Sequence, residues 1–391
     1  MAEDRSLRGQ VAIVGVGDTE VGKVPGLGAT GLCIDAAQRA LDDAGLTKND
    51  IDGLVTCNSM AEPHMYHAEA MAEHLRIFPS YCVSAGAGGG TTFAVLYQAA
   101  LAIMHGVCDR VLISMADSLR TGLTREQAMV MQSSSGHPQF ETPYGATVPG
   151  YYALIANAYL HKYGATAEQM AAVAVTARVH AALHPGAQMR APLTVEDVLA
   201  SRMIADPLRL LDCSLVSDGG AAAVLVRAEE ADDRPQPPVY LLGAGEGHGH
   251  EHISQAHDLT SSHACQAGER AYAMAGLAPQ DIDFVELYDC FTPVALIELE
   301  DLGFCGRGEA GAFVAEGHTR LGGSLPMNTH GGLLSHSHPG NPGAMFALTE
   351  AVRQLRGEAG ERQVANAETA LIHAQGGILS SHCTAILGRD R

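Results

Sequence analysis

An internal repeat constrains the possible folds of this chain more than any other feature of its sequence. Residues 39–52 read RALDDAGLTKNDID, and residues 270–283 read RAYAMAGLAPQDID. Each copy predicts an amphipathic helix that ends at a glycine, Gly45 or Gly276, followed by a turn whose aspartate caps the next element and then by a strand. The chain is therefore predicted to contain two copies of one α/β unit.

Apolar runs elsewhere in the chain fit the same alternation. VAIVGVG (11–17) and VYLLGAG (239–245) each predict a strand that opens one half. Further runs predict a buried helix at 92–105, a strand at 110–116, a helix at 167–184 and a buried strand at 221–228. Near-continuous apolar strands that alternate with helices are typical of a sheet covered on both faces.

The boundary between the halves is predicted in the polar, proline-rich segment AEEADDRPQPP (228–238). The sequence thus predicts an amino-terminal domain at 1–235 and a carboxy-terminal domain at 239–391. A loop-rich insertion is expected in the first half, at about 120–210.

Composition excludes several classes of function. A formal charge of −20 argues against nucleic acid as a partner. The sequence has no run of eighteen uncharged apolar residues, so we predict no membrane span. The start, MAEDRSLRGQ, lacks the apolar core of a signal peptide, and the nine cysteines form no CxxC pair. We therefore expect a cytoplasmic protein with reduced thiols.

Four segments resemble stretches of the thiolase superfamily, in the same order along the chain. LLDCSLVSDGGAAAVLV (210–226) is similar to the segment that precedes the last strand of the first half. VELYDCFTPVAL (285–296) resembles the loop with Asn-Glu-Ala-Phe in ordinary thiolases or His-Asp-Cys-Phe in the sterol-carrier-protein type. PMNTHGGLLSHSHPGNPG (326–343) resembles the stretch that ends in Gly-His-Pro-x-Gly, and LIHAQGGILSSH (371–382) stands in place of Cys-x-Gly-Gly-Gly.

This resemblance implies a duplicated five-layered thiolase fold with two βαβαβαββ-type halves. It also implies a homodimer that acts on acyl-coenzyme A thioesters. We expect no bound cofactor, because coenzyme A enters as part of the substrate.

The nucleophilic cysteine of thiolases is missing from this chain. The matching position is Gly89, within SAGAGGGTTF (84–93). Cys82, seven positions upstream, is a candidate for a displaced nucleophile, although a small core residue is the favoured interpretation.

The other thiolase positions differ as well. The second cysteine is matched by His373, while Cys383 is expected to be a core residue of the next strand. Tyr288 stands at the Asn/His position of the third motif. The histidine of the His-Pro motif is retained as His338.

Without a thiolate the covalent acyl-enzyme route is closed. Backbone N–H groups near Gly89 and in the Gly376-Gly377 turn are still expected to point at a thioester oxygen. Together with His338 they would stabilise an enolate thioester.

Retro-aldol cleavage of a β-hydroxyacyl-CoA uses such a site directly. It needs a base for the β-hydroxyl proton and an acid for the enolate. Tyr288 and His338 are the candidates, with their order left open, and His373 is a possible helper. Asp289 is expected to order the loop rather than to react.

A branch of the superfamily that cleaves steroid side chains is similar to this chain in having Tyr-Asp-x-Phe and no nucleophilic cysteine. Its members work with an OB-fold, zinc-ribbon partner, so the resemblance implies such a partner here. That branch replaces the His-Pro motif, whereas this chain keeps His338. A thiolase-type acyltransferase and a non-catalytic acyl-CoA carrier or scaffold subunit remain open as alternatives.

Other histidines raise a metal hypothesis. Three of them alternate in GHGHEHISQ (247–255), next to a glutamate, which would suit zinc. Alternate spacing is weakly diagnostic, so we favour a polar loop at the rim of the cleft and predict no metal. His330 and His336 are interpreted as polar groups of a loop.

Overall fold

The chain folds around a nine-stranded mixed sheet in a computed structural model, which describes residues 7–391. The strands before residue 238 are β1 (Val11–Asp18), β2 (Gly53–Cys57), β3 (Tyr81–Ala85), β4 (Arg110–Ser118), β5 (Met203–Ala205), β6 (Leu208–Arg209) and β7 (Asp218–Arg227). The later strands are β8 (Val239–His248), β9 (Phe284–Glu286), β10 (Thr369–Gly376) and β11 (Ser381–Gly388). Strands β5 and β6 form a separate ribbon.

Helices cover the sheet and fill the space between its two halves. Those of the first half are α1 (Ala29–Ala44), α2 (His67–Leu75), α3 (Thr91–Met104), α4 (Leu119–Gly122), α5 (Arg125–Ser133), α6 (Val148–Tyr163), α7 (Ala167–Leu183), α8 (Val195–Ala200) and α9 (Ala228–Ala231). Those of the second half are α10 (Ala264–Ala275), α11 (Thr292–Asp301), α12 (Ala310–Ala315) and α13 (Gly343–Arg356).

The two halves of the sheet have similar strand orders, as the internal repeat predicts. From the centre of the sheet outwards the first half runs β1-β7-β4-β2-β3, and the second runs β8-β11-β10-β9. The halves meet where β1 pairs antiparallel with β8. The place equivalent to β3 is reduced in the second half to one parallel bridge between Val285 and Met327. The proposed domain bounds at 235 and 239 stay a prediction.

Helix contacts show five layers, as the predicted fold class requires. Helix α3 touches β4 and β7 of the first half and β10 and β11 of the second, and α13 likewise touches both halves. Helix α1 packs on β1, β4 and β7, while α10 packs on β8 and β11. Two helices therefore form a central layer between the half-sheets, and others form the outer layers.

The repeated helices end as predicted. Gly45 and Gly276 close α1 and α10 in the left-handed conformation, with φ of 63° and 65°. In each following turn a carboxylate, of Asp50 or Asp281, accepts the backbone N–H three residues earlier at 2.8 Å. These local bonds explain why the repeat is visible in the sequence.

Glycines on the first strand of each half let the outer helices lie close to the sheet. A Cβ at Gly17 would lie 2.5 Å from the backbone N of Ala40, and one at Gly245 would lie 2.2 Å from the carbonyl oxygen of Ala267. The helices present alanine at these contacts. The Gly and Ala content of both copies therefore reflects one packing arrangement used twice.

The insertion in the first half differs from the expected loop-rich segment. Between 120 and 210 it contains α6 and α7, of 16 and 17 residues. Helix α7 begins with a capping box, in which the Thr166 hydroxyl accepts the backbone N–H of Gln169. The alanine-rich helix α7 packs against α11 and α12. Because α5 to α8 all lie within it, the insertion is mainly helical.

Among residues 7–391, no helix is both long enough and apolar enough to cross a membrane. The start of the chain, on which the prediction about a signal peptide depends, lies partly outside the described residues.

Candidate active site

Segments far apart in the sequence border one cavity of ≈ 240 Å³. It lies at the start of α3, beside the turn that follows β10, the loop after β9 and the loop before α13. Five of the predicted site residues line it: Gly89, Tyr288, His338, Gly376 and Gly377. The structure therefore brings these five residues together, as the sequence predicts.

The phenol of Tyr288 fills the space of the missing side chain at position 89. A Cβ on Gly89 would lie 2.2 Å from Cζ and 2.3 Å from the hydroxyl oxygen of Tyr288. A real Cβ cannot approach so closely, so a side chain at 89 and the present position of the Tyr288 ring exclude each other. A tyrosine ring in this position at 288 therefore requires glycine at 89.

The two glycine turns pack backbone against backbone. Gly88 has a φ of 58°, and a Cβ there would lie 2.6 Å from Cα of Gly376. A Cβ on Gly376 would in turn lie 1.8 Å from the carbonyl oxygen of Ala87. Only glycine permits this approach, which sets the main chain of both turns at the cavity wall.

A hydrogen-bonded chain leads from the cavity into the protein. The hydroxyl oxygen of Tyr288 is 3.0 Å from Nε2 of His338, and Nδ1 of His338 is 2.7 Å from Oγ of Ser214. In one imidazole tautomer His338 accepts from Tyr288 and donates to Ser214, and in the other both roles reverse. The chain can thus accept a proton from the tyrosine or return one to it.

Burial keeps both members of this pair neutral. Burial raises the pKa of the Tyr288 phenol well above its usual value, and the nearby Cys290, Glu298 and Asp289 add to the rise. Burial also lowers the pKa of the half-buried His338 imidazole to about 4. At neutral pH the site therefore holds a phenol beside an uncharged imidazole, one ring nitrogen of which carries no proton.

Buried carboxyl groups hold the loop that carries Tyr288. Oε2 of Glu298 accepts the backbone N–H of Tyr288 at 3.0 Å, and Oδ1 of Asp289 accepts that of Leu333 at 2.6 Å. Burial raises the pKa of Asp289 to about 6. Asp289 does not line the cavity, and its bond to Leu333 fits the loop-ordering role predicted for it.

The loop before α13 rests on a buried polar network. Nδ1 of His330 is 2.7 Å from Oε2 of Glu286. Burial opposes protonation of His330, but Glu286, with Glu350 and Asp289 beyond it, outweighs burial, so the pKa of the imidazole is raised. His336 stacks edge-on against His330, with ring centroids 5.2 Å apart. Both are polar groups of this loop, as predicted, and both are buried.

His373 does not reach the cavity. It lies within β10 with Nδ1 2.7 Å from Oγ1 of Thr384 and Nε2 3.2 Å from Nδ1 of His382. Two residues further along the same strand face, Gln375 lines the cavity instead. His373, the residue predicted to help, therefore lies two residues too early along β10 to line the cavity, and it makes no contact there.

Sequence reasoning missed Tyr152 and Gln375. The Tyr152 hydroxyl donates to the carbonyl oxygen of Gly377 at 3.0 Å and accepts from Nε2 of Gln375 at 2.6 Å. Its ring stacks on Phe291, with centroids 4.4 Å apart. Phe291 could have been found from the Tyr-Asp-x-Phe motif. Tyr152 could not, because nothing local shows that α6 reaches the cavity.

The cysteines offer no activated nucleophile at this site. Cys290 lines the cavity, but burial raises the pKa of its thiol far above the usual value. Cys82 lies on β3 beside a different surface depression, and burial raises its pKa too. Cys383 is buried in β11, as predicted for a core residue.

The three alternating histidines do not form a ligand set. His248 pairs with Glu246 at 3.0 Å, and Nε2 of His250 is 2.9 Å from the carbonyl oxygen of Ile378. Between residues 7 and 391 no group of three or more His, Cys, Asp or Glu side chains is placed to hold a metal ion. Glu251 lies at the rim of the cavity.

The chain is similar to known proteins over most of its length. Residues 245–389 match the family described as thiolase C-terminal domain-like. The steroid side-chain-cleaving aldolase of Thermomonospora curvata is 38% identical to this chain, over 98% of this chain and 99% of that protein. An acetyl-CoA acetyltransferase of Methanothermobacter thermautotrophicus is 35% identical, over 94% and 96%.

A solved structure is also similar over the full length. The structure titled Ltp2-ChsH2(DUF35) aldolase superposes with a TM-score of 0.88 at 37% identity, over 98% of this chain and 99% of that one.

Proposed function

Because this chain belongs to the thiolase superfamily, we propose that it is a lyase that cleaves β-hydroxyacyl-CoA thioesters by retro-aldol chemistry, without an acyl-enzyme. The observation that carries the proposal is the exchange at the cavity, where the phenol of Tyr288 occupies the space of a side chain at Gly89. An acid–base group stands where thiolases need a nucleophile.

The first step is removal of the β-hydroxyl proton. Tyr288 accepts it as its own phenolic proton passes to Nε2 of His338, 3.0 Å away. Ser214 holds the far side of the imidazole and so fixes the direction of Nε2. A positioned acid–base group of this kind contributes about 10²–10⁴-fold to a rate.

The Cα–Cβ bond then breaks. The β-carbon leaves as the carbonyl of an aldehyde or ketone, and the bonding electrons pass into the enolate of the shortened thioester. Backbone N–H groups around Gly89 and in the Gly376-Gly377 turn, with the amino-terminal end of α3, stabilise its oxygen. The proton held on the Tyr288–His338 pair returns to Cα. The reaction consumes no free coenzyme A and changes no oxidation state overall, so it needs no bound cofactor.

A thiolase-type acyltransferase is the second candidate, favoured by the acetyltransferase relative. It needs a nucleophile that the cavity does not supply, because position 89 is glycine and the Cys290 thiol stays protonated. A non-catalytic carrier or scaffold subunit is the third. It gives no reason for a proton-transfer pair in the wall of the cavity.

Intact-protein mass spectrometry separates the first two candidates. The full-length chain is mixed with a β-ketoacyl-CoA and, separately, with a β-hydroxyacyl-CoA, and the reaction is quenched in acid. The lyase proposal predicts the unmodified mass in both. An acyl adduct on the wild type that disappears in Cys290→Ser or Cys82→Ser would establish the transferase.

Partners are part of the proposal. The similar structure is named as an aldolase with a ChsH2(DUF35) component, which supports an OB-fold, zinc-ribbon partner for this chain. The edge strand β3 supports a homodimer. Its residues, YCVSA, carry no charge and are all only half-buried, and Phe78 before it is 99% exposed. A strand with one open edge readily pairs with a second copy.

The compartment is a proposal as well. All nine cysteines lie in the described residues and are unpaired. Free thiols in this number support a reducing compartment, the cytoplasm.

A further inference from the structure

A buried tyrosine of the insertion reaches the catalytic cavity and takes no part in the proton-transfer pair. Tyr152 lies on α6, is 2% exposed and lines the cavity together with Gly377 and Phe291. Burial raises the pKa of its phenol well above the usual value, so the hydroxyl keeps its proton throughout the neutral range. The fold therefore keeps a permanent hydrogen-bond donor in the wall of the cavity.

The direction in which this hydroxyl donates is fixed by Gln375. Oε1 of Gln375 accepts the backbone N–H of Leu379 at 3.3 Å, while its amide nitrogen, Nε2, donates to the Tyr152 oxygen at 2.6 Å. A phenol has one proton, and with Gln375 as its donor Tyr152 gives that proton to the carbonyl oxygen of Gly377, 3.0 Å away. The hydrogen bond between Tyr152 and Gly377 therefore has one direction.

This bond acts on a peptide group of the oxyanion turn. Gly377 follows β10 with a φ of 67°, and glycine adds no side chain that would restrain the turn. Because a trans peptide is planar, its C=O and the next N–H point in opposite directions and rotate together. Holding the Gly377 oxygen therefore also holds the N–H of Ile378, a residue that lines the cavity.

The ring of Tyr152 connects the same turn to the loop that carries the acid–base group. It stacks on Phe291, with centroids 4.4 Å apart and planes 25° apart. Phe291 lies three residues after Tyr288 in the loop after β9. One side chain thus contacts both parts of the catalytic apparatus, the oxyanion turn through its hydroxyl and the acid–base loop through its ring.

We propose that Tyr152 is a positioning residue, which sets the Gly376-Gly377 turn at the distance from Tyr288 that the enolate requires. The thioester oxygen gains its negative charge only as the Cα–Cβ bond breaks. A misplaced turn therefore costs little in binding of the substrate and much in its cleavage. This inference rests on the proposed function.

The test compares two adjacent tyrosines of α6. Tyr152→Phe removes the hydroxyl and keeps the stacked ring. Tyr151→Phe is the matched control, because Tyr151 is also 2% exposed and its hydroxyl has no hydrogen-bond partner among residues 7–391.

Affinity is measured by calorimetry for two thioesters that cannot be cleaved, since neither has a β-hydroxyl group. Nitroacetyl-CoA loses its α-proton in neutral water and so carries the charge of an enolate, whereas propanoyl-CoA is uncharged at the same carbons. Cleavage of a β-hydroxyacyl-CoA is measured on the same full-length proteins, with the OB-fold, zinc-ribbon partner present.

We expect Tyr152→Phe to weaken binding of nitroacetyl-CoA by about tenfold or more and to lower kcat for cleavage by about 10–100-fold, since small misplacements of catalytic groups have effects of this size. Binding of propanoyl-CoA and the KM for the substrate should stay within about twofold of the wild type. Tyr151→Phe should change none of these values. If Tyr152→Phe folds poorly, Phe291→Leu, which removes the ring on which Tyr152 stacks, should repeat the pattern.

Equal losses of affinity for the two thioesters in Tyr152→Phe, or no loss for either, would overturn the inference. An unchanged kcat in Tyr152→Phe beside an active wild type would also overturn it, but would leave the lyase proposal standing. The expected affinities without cleavage by any of the proteins would support the positioning role and refute the lyase proposal.

Discussion

Tyr288 is the residue on which the chemistry depends most. It lies where a nucleophilic side chain would otherwise project from Gly89, and its hydroxyl contacts His338 rather than a backbone group. Its neighbours hold the loop by the main chain, through Glu298, so the hydroxyl itself has no structural duty in that loop. Function and folding are therefore separable at this residue.

Tyr288→Phe tests that separation. The variant removes the proton carrier but keeps the ring against Gly89, so kcat for cleavage should fall by about 10²–10⁴-fold. The melting temperature should change little, because the lost bond is a single neutral one worth about 1 kcal/mol. Steady-state kinetics with thermal unfolding on the same sample provides the check. An unchanged kcat would show that Tyr288 does not move the proton.

At the scale of elements, the site depends on turns that touch through their backbones. The start of α3, the turn after β10 and the loop after β9 meet at Gly88, Gly376 and Gly89. None of these turns could be shifted alone without a collision. The oxyanion-binding main chain is thus positioned by backbone packing together with side-chain hydrogen bonds, which the Thr91 hydroxyl donates to Gly88 and the Tyr152 hydroxyl donates to Gly377.

Gly89→Ala should show this coupling. The added Cβ collides with the Tyr288 ring, and overpacking of a tight site costs about 1–3 kcal/mol in the free energy of unfolding. The ring must also move away from His338, so cleavage should be lost. In a Tyr288→Ala background the same substitution should cost almost nothing, and chemical denaturation of the four proteins measures the difference. Additive costs would contradict the contact.

Some elements and site residues can be predicted from the sequence, and others cannot. The helices that end at Gly45 and Gly276 could be predicted, because caps and apolar periodicity are local. Cavity residues inside motif segments, such as Tyr288 and His338, could also be placed. Tyr152 could not, since it reaches the cavity only through the packing of an inserted helix. The sequence predicts His373 at the site, but Gln375, two residues or about 7 Å further along β10, lines the cavity instead.

At the scale of the whole molecule, the active-site cavity is built by both of the duplicated halves. Each half contributes one glycine turn, at the start of α3 and after β10, and α3 lies in the layer that both halves share. Neither half contains the cavity alone. The mainly helical insertion adds Tyr152 to the wall of the catalytic cavity.

Burial of many neutral histidines should make the molecule sensitive to acid. Burial lowers the pKa of His184 and His338 to about 4 and that of His382 to about 3. The unfolded chain, with histidine pKa values of about 6.5, then binds more protons than the folded one below that pH. Asp289, with its pKa raised to about 6, opposes the trend together with His330 and three other buried carboxyl groups whose pKa values are raised. Four further histidines also have lowered pKa values, so the lowered histidines outnumber the opposing groups.

The free energy of unfolding should therefore be largest above pH 6.5 and fall as the pH drops towards 4. The fall amounts to about 1.4 kcal/mol per pH unit for each net proton taken up on unfolding. Urea denaturation at a series of pH values measures it. A stability that stayed constant or rose between pH 6.5 and 5 would contradict the neutral, buried state of these imidazoles.

The central claim is that this chain cleaves a carbon–carbon bond next to a thioester without a nucleophile. The most direct measurement is mass spectrometry of the products formed from a β-hydroxyacyl-CoA, by the full-length chain with and without an OB-fold, zinc-ribbon partner, in the absence of free coenzyme A. The account predicts one aldehyde or ketone and one shortened acyl-CoA for each substrate molecule consumed, and no such products with Tyr288→Phe. Cleavage that appears only with a β-ketoacyl-CoA and only when free coenzyme A is added would contradict it.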